Sequence, residues 1–461
     1  MNQPHDPTSC GAGDAGAEAS APTFAARLDR RIVNAAGGSV RHLLITVRAP
    51  VDERSAARPR PPLNLGLVID ASGSMGDGSL DAAKTATLGI IDSLEPEDHL
   101  SIVSFASDVQ THLETTRMDE AGKRRARLAV RPLATRGNTN LAAGWLEGCR
   151  HVAGRQAVAD VPERNQVILL SDGHANEGEC GPEALAVHAA ALHECGVLTS
   201  TVGIGAGYSP SQLQAIAEAG GGRMHDAETP DEIVEIVMAE LDEALATTVE
   251  GLSLCLLLPP GVKGALYGTA PTTSRGTQFE IILGSMRSAA TREAVVKLTF
   301  PPGTVGDRVA VEAAATWRHP ATHAVRSCLV SAVEAEYGTA GVCTRQPLDP
   351  DLARIVAEHW QASVYHRGVA LNQDGQGQEA LTFVERQLRY FRRYCAGIAG
   401  LERLTASLEA FHRSLRHRYD AVAAKEVMLF AYKHSRGEVD HRSTPRAPVQ
   451  SIVESQIDDR S

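Results

Sequence analysis

The sequence lacks any hydrophobic run long enough to cross a membrane, and aromatic residues make up only 4% of its 461 residues. Its most apolar stretch, residues 252–258 (LSLCLLL), is far shorter than the roughly 20 residues that a membrane-spanning helix needs. Residues 1–24 also lack the basic and apolar regions of a signal peptide. We therefore predict a cytoplasmic protein with no membrane span.

The sequence also lacks the motifs and the charge of several other classes of protein. The eight cysteines form no CxxC pair, which argues against a zinc framework and against a disulfide scaffold. No GxxxxGKS or GxxxxGKT loop occurs, so a P-loop nucleotide hydrolase is excluded. Basic residues number 45 against 56 acidic ones, and the formal charge of −11 gives nucleic acid no general attraction. We predict no nucleic-acid partner.

Residues 61–247 show strand patterns that alternate with helical patterns. A length of 461 residues exceeds the ~250 at which single hydrophobic cores stop growing, so several domains are expected. Apolar strand patterns at residues 63–70, 100–105, 167–170 and 198–204 are separated by amphipathic helical stretches. This alternation implies parallel crossovers. It predicts an α/β fold with a doubly wound, mostly parallel, Rossmann-like sheet.

Shorter β-like segments follow between residues 248 and 346 and are separated by Pro/Gly turns. They predict a small antiparallel β-sandwich. The isolated strand pattern at residues 39–48 (SVRHLLITVR) needs a sheet to join. We therefore predict that the strand or strands within residues 29–60 complete the sandwich, with a final strand from residues 324–335.

Helical periodicity returns between residues 347 and 436 and predicts a helical hairpin or small bundle. The helices are expected at residues 351–366, 378–396 and 401–430. The sequence leaves open whether they dock a second partner or simply cover the sandwich. Residues 1–28 are predicted to form a disordered tail, and residues 437–461 a flexible one.

Polar side chains occur in three loops at the ends of predicted elements. The first, DASGSM, presents the Asp70 carboxylate and the hydroxyls of Ser72 and Ser74 at alternate positions after a buried strand. The second offers Thr139 just before a helix, and the third offers Asp172 after the next long apolar strand. Open α/β sheets place their ligands at this edge. The set of oxygens suits one small hard cation such as Mg²⁺, which accepts near-octahedral oxygen shells and keeps waters.

The charges of this set bear on its function. The carboxylates of Asp70 and Asp172 neutralise a divalent ion, whereas the other donors are neutral hydroxyls. A metal held in this way keeps enough Lewis acidity to attract a carboxylate from another protein. The pattern supplies no nucleophile with an adjacent base, so we predict a binding module and not an enzyme. The alternative is a metal-dependent hydrolase that uses the same site, with His174 or Glu177 as its general base.

The motif DASGS, together with Thr139 and Asp172, resembles the metal-ion-dependent adhesion site (MIDAS) of von Willebrand factor type A (VWA) domains, which occur in many bacterial proteins. The resemblance extends over the whole central α/β domain. It implies that Ser72 and Ser74 bind one ion directly, and that Thr139 binds it directly or through water. Asp70 and Asp172 would then act largely through waters.

The resemblance also implies a function. Such domains use the ion, which is Mg²⁺ or in its place Mn²⁺ or Ca²⁺, to grip an acidic group. We therefore expect a metal-dependent protein–protein interaction module that binds a carboxylate of a partner protein. Multiprotein assemblies built around AAA+ ATPases are the partner class that the resemblance suggests.

Overall fold

A computed structural model shows three packed regions: a central α/β domain, a β-sandwich and a C-terminal helical region. The structure describes residues 21–51, 61–161, 163–172, 175–205, 208, 210–227, 229–245, 247–320, 324–435 and 453. Among the helices of these residues, none combines the length and the apolar character that spanning a membrane requires. The seven cysteines among the described residues carry free thiols.

The first strands precede the central domain and are β1 (Thr23–Leu28), β2 (Ile32–Asn34) and β3 (Ser39–Arg48). The strands of the central sheet are β4 (Leu63–Asp70), β5 (His99–Phe105), β6 (Val109–Arg117), β7 (Arg164–Ser171), β8 (Leu198–Ile204) and β9 (Gly221–Ala227). Its helices are α1 (Ser79–Ser93), α2 (Glu120–Val130), α3 (Leu141–Gln156), α4 (Pro182–Glu194), α5 (Pro210–Ala219) and α6 (Pro230–Leu245).

Strands and then helices follow the central domain. The strands are β10 (Thr247–Leu257), β11 (Lys263–Tyr267), β12 (Thr272–Arg275), β13 (Gln278–Arg287), β14 (Thr291–Phe300), β15 (Arg308–Arg318) and β16 (Val325–Gly338). The helices are α7 (Ala340–Arg345), α8 (Pro350–Gln373), α9 (Gly377–Cys395), α10 (Glu402–Ser414) and α11 (Ala421–Ser435).

The central sheet has the strand order β6-β5-β4-β7-β8-β9, and its pairs are parallel except for the β5-β6 hairpin. Helices α1, α2 and α6 pack on one face, and α3, α4 and α5 pack on the other. Strands β4 and β7 are consequently buried along their whole length. Helix α3 lies so close to β4 that a Cβ on Gly148 would fall 2.2 Å from Val68 Cγ2. The predicted doubly wound, mostly parallel α/β sheet is confirmed.

The β-sandwich consists of two sheets, with the strand orders β1-β3-β14-β11 and β12-β13-β10-β15-β16-β2. Apolar residues from their inner faces form a shared core. Strand β3 pairs with β14 along its full length, from Ser39 opposite Phe300 to Arg48 opposite Thr291. This confirms the prediction that the isolated strand joins the sandwich. The central domain is therefore inserted between two strands of the sandwich, β3 and β10.

Part of the predicted disordered tail forms a strand, so that prediction is wrong for these residues. Strand β1 pairs antiparallel with β3 at the edge of its sheet. Its sequence, TFAARL, alternates exposed and half-buried residues, so one side packs on the sandwich although its composition alone suggested a tail. Residues 1–20 of the predicted tail lie outside the described residues.

The helical region extends further than the sequence indicated. Helix α8 continues to Gln373, beyond the predicted end at residue 366, and the short helix α7 was not expected. Of the predicted flexible tail, residues 437–461, the structure describes only Val453. Val453 is fully buried in the core of the helical region. At this position the prediction of a flexible tail is wrong, because an apolar side chain packs among the helices.

The single helix predicted from residue 401 to residue 430 is two helices, α10 and α11. The division arises because the Asn372 Nδ2 amide donates to the carbonyls of Leu415 (3.3 Å) and His417 (3.0 Å), which turns the chain away from helical geometry. Asp420 then starts α11 by accepting a hydrogen bond from Ala423 N at 2.8 Å. A long-range side-chain contact therefore overrides the local periodicity.

The helical region covers the sandwich, which was one of the two arrangements left open above. The indole of Trp360 in α8 stacks on Tyr267 of β11, with ring centroids 5.4 Å apart. His42 of β3 lies 5.6 Å from the Trp360 ring and 4.9 Å from the Tyr394 ring, centroid to centroid. Aromatic pairs at these separations stabilise the contact beyond simple burial.

The same region also contacts the central domain through a buried lysine. The side chain of Lys425 in α11 is only 1% exposed. Its Nζ donates to Gly205 O at 2.8 Å and to Asp226 Oδ1 at 3.0 Å, and it lies 4.9 Å from the centre of the Tyr208 ring. A buried ammonium is tolerated here because it is paired with a carboxylate. This contact anchors α11 beside the carboxyl ends of β8 and β9.

At the other end of the sheet, Glu240 of α6 holds the helix to the strands. Its Oε1 lies 2.6 Å from His225 Nε2, and its Oε2 accepts a hydrogen bond from Ser200 Oγ at 2.5 Å. Burial raises the pKa of Glu240, but His225, Arg223 and Ser200 more than offset this and lower the pKa to about 2. The carboxylate is therefore held in its ionised form.

We expect Glu240→Gln to destabilise the protein by about 3 kcal/mol at neutral pH, because its partners stay buried without their counter-charge. A lowered folded-state pKa stabilises the protein above the ordinary value of 4.5, and this stabilisation is lost as the pH falls toward about 2. The difference in thermal midpoint between wild type and variant should therefore become smaller as the pH falls through that range. Glu235→Gln, on the exposed side of α6, is the matched control, and an equal effect of both substitutions would contradict this account.

Candidate functional site

The candidate site is built on the carboxyl end of β4, where Asp70 is completely buried. Its Oδ1 accepts a hydrogen bond from Ser72 N at 2.8 Å, and its Oδ2 accepts one from Ser171 Oγ at 2.6 Å. Burial raises the pKa of the Asp70 carboxyl, and the hydrogen bonds from Ser171 and Ser72 and the charge of Arg136 offset this only in part. Asp70 is therefore a carboxylate whose charge lacks full compensation within the protein.

The hydroxyls of the DASGS loop connect Asp70 to the end of β7. Ser72 Oγ and Ser74 Oγ are 3.0 Å apart, and Ser74 Oγ donates to Asp172 Oδ1 at 2.9 Å. Ser72 is buried, Asp172 is half-buried and Ser74 is exposed, in a short 3-10 helix (Gly73–Asp77). The oxygens therefore form a continuous path that begins in the protein interior and opens to solvent.

Thr139 is brought to the same edge by its backbone. Its N–H donates to Asn176 Oδ1 at 2.9 Å, and its carbonyl accepts from Asn176 N (3.1 Å) and Glu177 N (3.3 Å). Asn140 then caps α3 by accepting from Ala143 N at 3.2 Å. Thr139 therefore stands directly before a helix, as its position in the sequence suggested, and against the loop that follows Asp172.

The spacing of these oxygens can be compared with the shell of a metal ion. Mg²⁺ binds oxygens at about 2.0–2.1 Å in octahedral geometry, so neighbouring ligands lie about 2.9 Å apart. The separations of 3.0 Å between Ser72 Oγ and Ser74 Oγ and 2.9 Å between Ser74 Oγ and Asp172 Oδ1 match this edge. The described residues contain no cluster of three or more His, Cys, Asp or Glu side chains suited to a metal. The hydroxyl and carboxylate oxygens at β4 and β7 are donors of the kind that a hard cation prefers.

Three residues that the sequence analysis did not single out support this arrangement. Ser171 bonds the buried carboxylate of Asp70, and Asn176 holds the backbone of Thr139. Arg136 donates to Ser104 Oγ at 2.9 Å and so fixes the loop that carries Thr139. Ser171 directly precedes Asp172 in the motif SDG, and this adjacency was the signal that could have revealed it.

His174 and Glu177 were the candidate general bases for a hydrolase, and the structure describes only Glu177. His174 lies outside the described residues. Glu177 is half-buried on the loop that binds the Thr139 carbonyl, and its Oε2 is buried with no hydrogen-bond partner among the described residues. These contacts tie Glu177 to the fold of the loop.

Comparison with known proteins identifies the class of the central domain. Residues 64–239 match the family model of the von Willebrand factor type A domain. This match, on a doubly wound sheet with the DASGS loop at its carboxyl edge, shows that the chain contains a VWA domain. Domains of this family generally mediate protein–protein interactions.

Individual relatives extend this finding. Inter-alpha-trypsin inhibitor heavy chain H3 of Mesocricetus auratus is 35% identical over 130 residues, which cover 28% of this chain and 15% of that protein. An uncharacterized bacterial protein of Synechocystis sp. is 30% identical over 205 residues, 44% of this chain and 46% of that one. The chain thus matches less than half the length of either relative.

A solved structure shares the whole architecture. The von Willebrand factor type A protein from Catenulispora acidiphila superposes with a TM-score of 0.62 at 17% sequence identity. The superposition covers 92% of this chain and 98% of that one. The likeness therefore includes the sandwich and the helical region, and at this level of identity it concerns the fold alone.

Proposed function

We propose that the VWA domain is a metal-dependent interaction module that binds a carboxylate of a partner protein. The residues that would hold one divalent ion, Mg²⁺ or in its place Mn²⁺ or Ca²⁺, are Asp70, Ser72, Ser74, Thr139 and Asp172. The observation that carries the proposal is a set of three oxygens about one octahedral edge apart, Ser72 Oγ, Ser74 Oγ and Asp172 Oδ1, which lies beside the buried Asp70 and opens to solvent at Ser74.

The charge of the site favours an acidic ligand. Asp70 and Asp172 balance a divalent ion, and the hydroxyls of Ser72, Ser74 and Thr139 add no further negative charge. The bound ion would supply Lewis acidity, and a carboxylate from outside would complete the shell on the exposed side. Following the resemblance to the adhesion site, we extend the proposal to an acidic group on an AAA+ ATPase assembly as the partner.

The contacts of the serines argue against a serine nucleophile at this site. The hydroxyl of Ser74 is hydrogen-bonded to Ser72 and to Asp172, and neither partner is a base of the kind that activates a serine nucleophile. The raised pKa of Asp70 stems from burial at the floor of the site, away from solvent and from any incoming substrate. Such a floor suits charge balance for a cation.

A pull-down with a matched pair of serine variants tests this proposal. Wild type should retain partner proteins from an extract of the source cells in Mg²⁺ and lose them in chelator. Ser74→Ala removes an exposed hydroxyl, so the fold is kept, and we expect retention to fall at least about tenfold. Ser93→Ala, at the end of α1, should behave as wild type. Retention that is the same in chelator, or the same for Ser74→Ala and Ser93→Ala, would overturn the proposal.

A further inference from the structure

The outer side of helices α9 and α10 carries a concentration of arginine. Residues 385–418, which include the second half of α9 and all of α10, contain eight arginines and three glutamates, although the whole chain has a formal charge of −11. All eight arginines are exposed. The surfaces of soluble proteins usually intersperse both signs of charge, so a strongly basic face on an acidic protein points to an acidic partner.

Most of these guanidinium groups have no carboxylate partner within the protein. Arg392 is paired, with its Nη2 2.7 Å from Glu409 Oε1, and this ion pair joins α9 to α10 so that the exposed sides of the two helices lie next to each other. Arg418 donates to the backbone carbonyl of Gln373 at 2.9 Å. The others form no salt bridge with any residue that the structure describes: Arg386, Arg389, Arg393, Arg403, Arg413 and Arg416.

On α9 the exposed arginines form a stripe along one side of the helix. Arg386, Arg389 and Arg393 lie three and four residues apart, which places them on successive turns over about 10 Å of helix. Tyr390 lies within this stripe and is 51% exposed. The Arg389 guanidinium lies 5.0 Å from the centre of the Tyr390 ring, and its Nη2 donates to the Tyr390 hydroxyl at 3.2 Å. Arginine and tyrosine are enriched among the residues that dominate binding energy in protein interfaces, so the stripe has the composition of a docking surface.

We propose that this stripe docks an acidic helix of another protein. A partner helix repeats its side chains at the same pitch of about 5.4 Å, so carboxylates three and four residues apart would meet the three guanidinium groups in turn. The inner side of α9 packs against the sandwich through Tyr394 and His42, which leaves the outer side for a partner. The helical region would thus both cover the sandwich and dock a second protein. The proposal does not rest on the metal site.

Other anionic partners fit this face less well. Among the residues of α9 and α10, all of which the structure describes, Tyr390 is the only large apolar side chain that is exposed, whereas a helix that lies on a membrane buries several. A long nucleic acid would extend beyond the stripe and meet the repulsion of a chain with a formal charge of −11. A short acidic helix responds only to charges within a Debye length, which is about 8 Å at physiological salt.

Peptide binding by the whole protein tests this inference. The probe is an alanine-based peptide of about 20 residues with glutamates three and four residues apart on one side of the helix, and the comparison is an isomer with the same glutamates spread around the helix. Both are titrated into the protein in chelator, so that no metal ion at the candidate site can hold a carboxylate. We expect the first peptide to bind saturably, one per chain, and at least about tenfold more tightly than its isomer.

Two double variants, each lacking two exposed arginines, complete the test. Arg389→Gln with Arg393→Gln should weaken binding of the first peptide by about tenfold or more, whereas Arg124→Gln with Arg125→Gln, on the exposed side of α2, should bind as wild type does. Thermal melts show that both variants are folded.

The inference is overturned if the first peptide does not bind saturably, or if the two peptides or the two double variants bind equally well. Single-stranded DNA of about 20 nucleotides and vesicles that contain phosphatidylglycerol are titrated in parallel under the same conditions. Tighter binding of either one than of the first peptide would also overturn the inference, because the stripe would then recognise phosphate groups and not the carboxylates of a protein.

Discussion

Replacing Asp70 with asparagine is expected to weaken Mg²⁺ binding by about 100-fold or more while leaving the metal-free protein folded. Asparagine keeps the shape of the side chain, and its oxygen can still accept from Ser72 N. At saturating Mg²⁺, about 100 times the dissociation constant, wild type should gain about 2.7 kcal/mol of stability, whereas the variant should gain almost none. Thermal melts in Mg²⁺ and in chelator measure both effects.

The stability of Asp70→Asn relative to wild type in chelator, where no metal is bound, is a separate part of this prediction. Burial raises the folded-state pKa of Asp70 above 3.8, so its stabilising contribution is present at low pH and is lost as the pH rises through the raised value. At neutral pH without metal, Asp70→Asn should therefore be at least as stable as wild type. Asp81→Asn, at an exposed position in the first turn of α1, is the control. A metal response of Asp70→Asn equal to that of wild type would contradict the assignment.

The second large effect is expected at Lys425. Lys425→Met removes the ammonium from a buried pair and leaves Asp226 without its counter-charge, which should cost about 3 kcal/mol. Because Lys425 joins α11 to the ends of β8 and β9, the loss should appear first as faster amide hydrogen exchange in α11 and then as a lower thermal midpoint.

A double variant separates the lost charge pair from lost packing. Lys425→Met with Asp226→Asn removes both charges, so much of the stability should return. Lys433→Met changes a half-buried lysine of the same helix and should have little effect. If the double variant were no more stable than the sum of the two single changes predicts, the ion pair would not be what anchors α11.

The fold of the central domain could be predicted from its sequence because each strand and helix there has the local pattern of apolar and polar residues that is typical of it. The apolar runs of β4 and β7 are buried on both faces, as parallel strands between two helical layers must be. The site residues lie at the ends of these runs, so the topology of a doubly wound sheet already placed Asp70 and Asp172 on one edge. The strand at Ser39–Arg48 followed from the need of an isolated strand for a sheet.

Long-range side-chain contacts account for what the sequence did not reveal. The break between α10 and α11 depends on Asn372, which is more than 40 residues away from the carbonyls that it bonds. The support of Asp70 by Ser171 crosses from β4 to β7, and only the adjacency of Ser171 to Asp172 in the motif SDG pointed to it. Lys425 could have been noticed as a charge within the apolar stretch AVAAKEVMLFAY, but its partner, Asp226, lies in another domain.

Titration of the purified protein with Mg²⁺, followed by calorimetry, tests the central claim most directly. The account predicts one ion per chain in wild type, and binding that is lost in the Ser72→Ala, Ser74→Ala double variant, which removes the pair of hydroxyls 3.0 Å apart. Mn²⁺ and Ca²⁺ are titrated in parallel, since the same oxygens can accept them. The claim would be contradicted if none of the three ions bound saturably to wild type, or if the double variant bound them equally well.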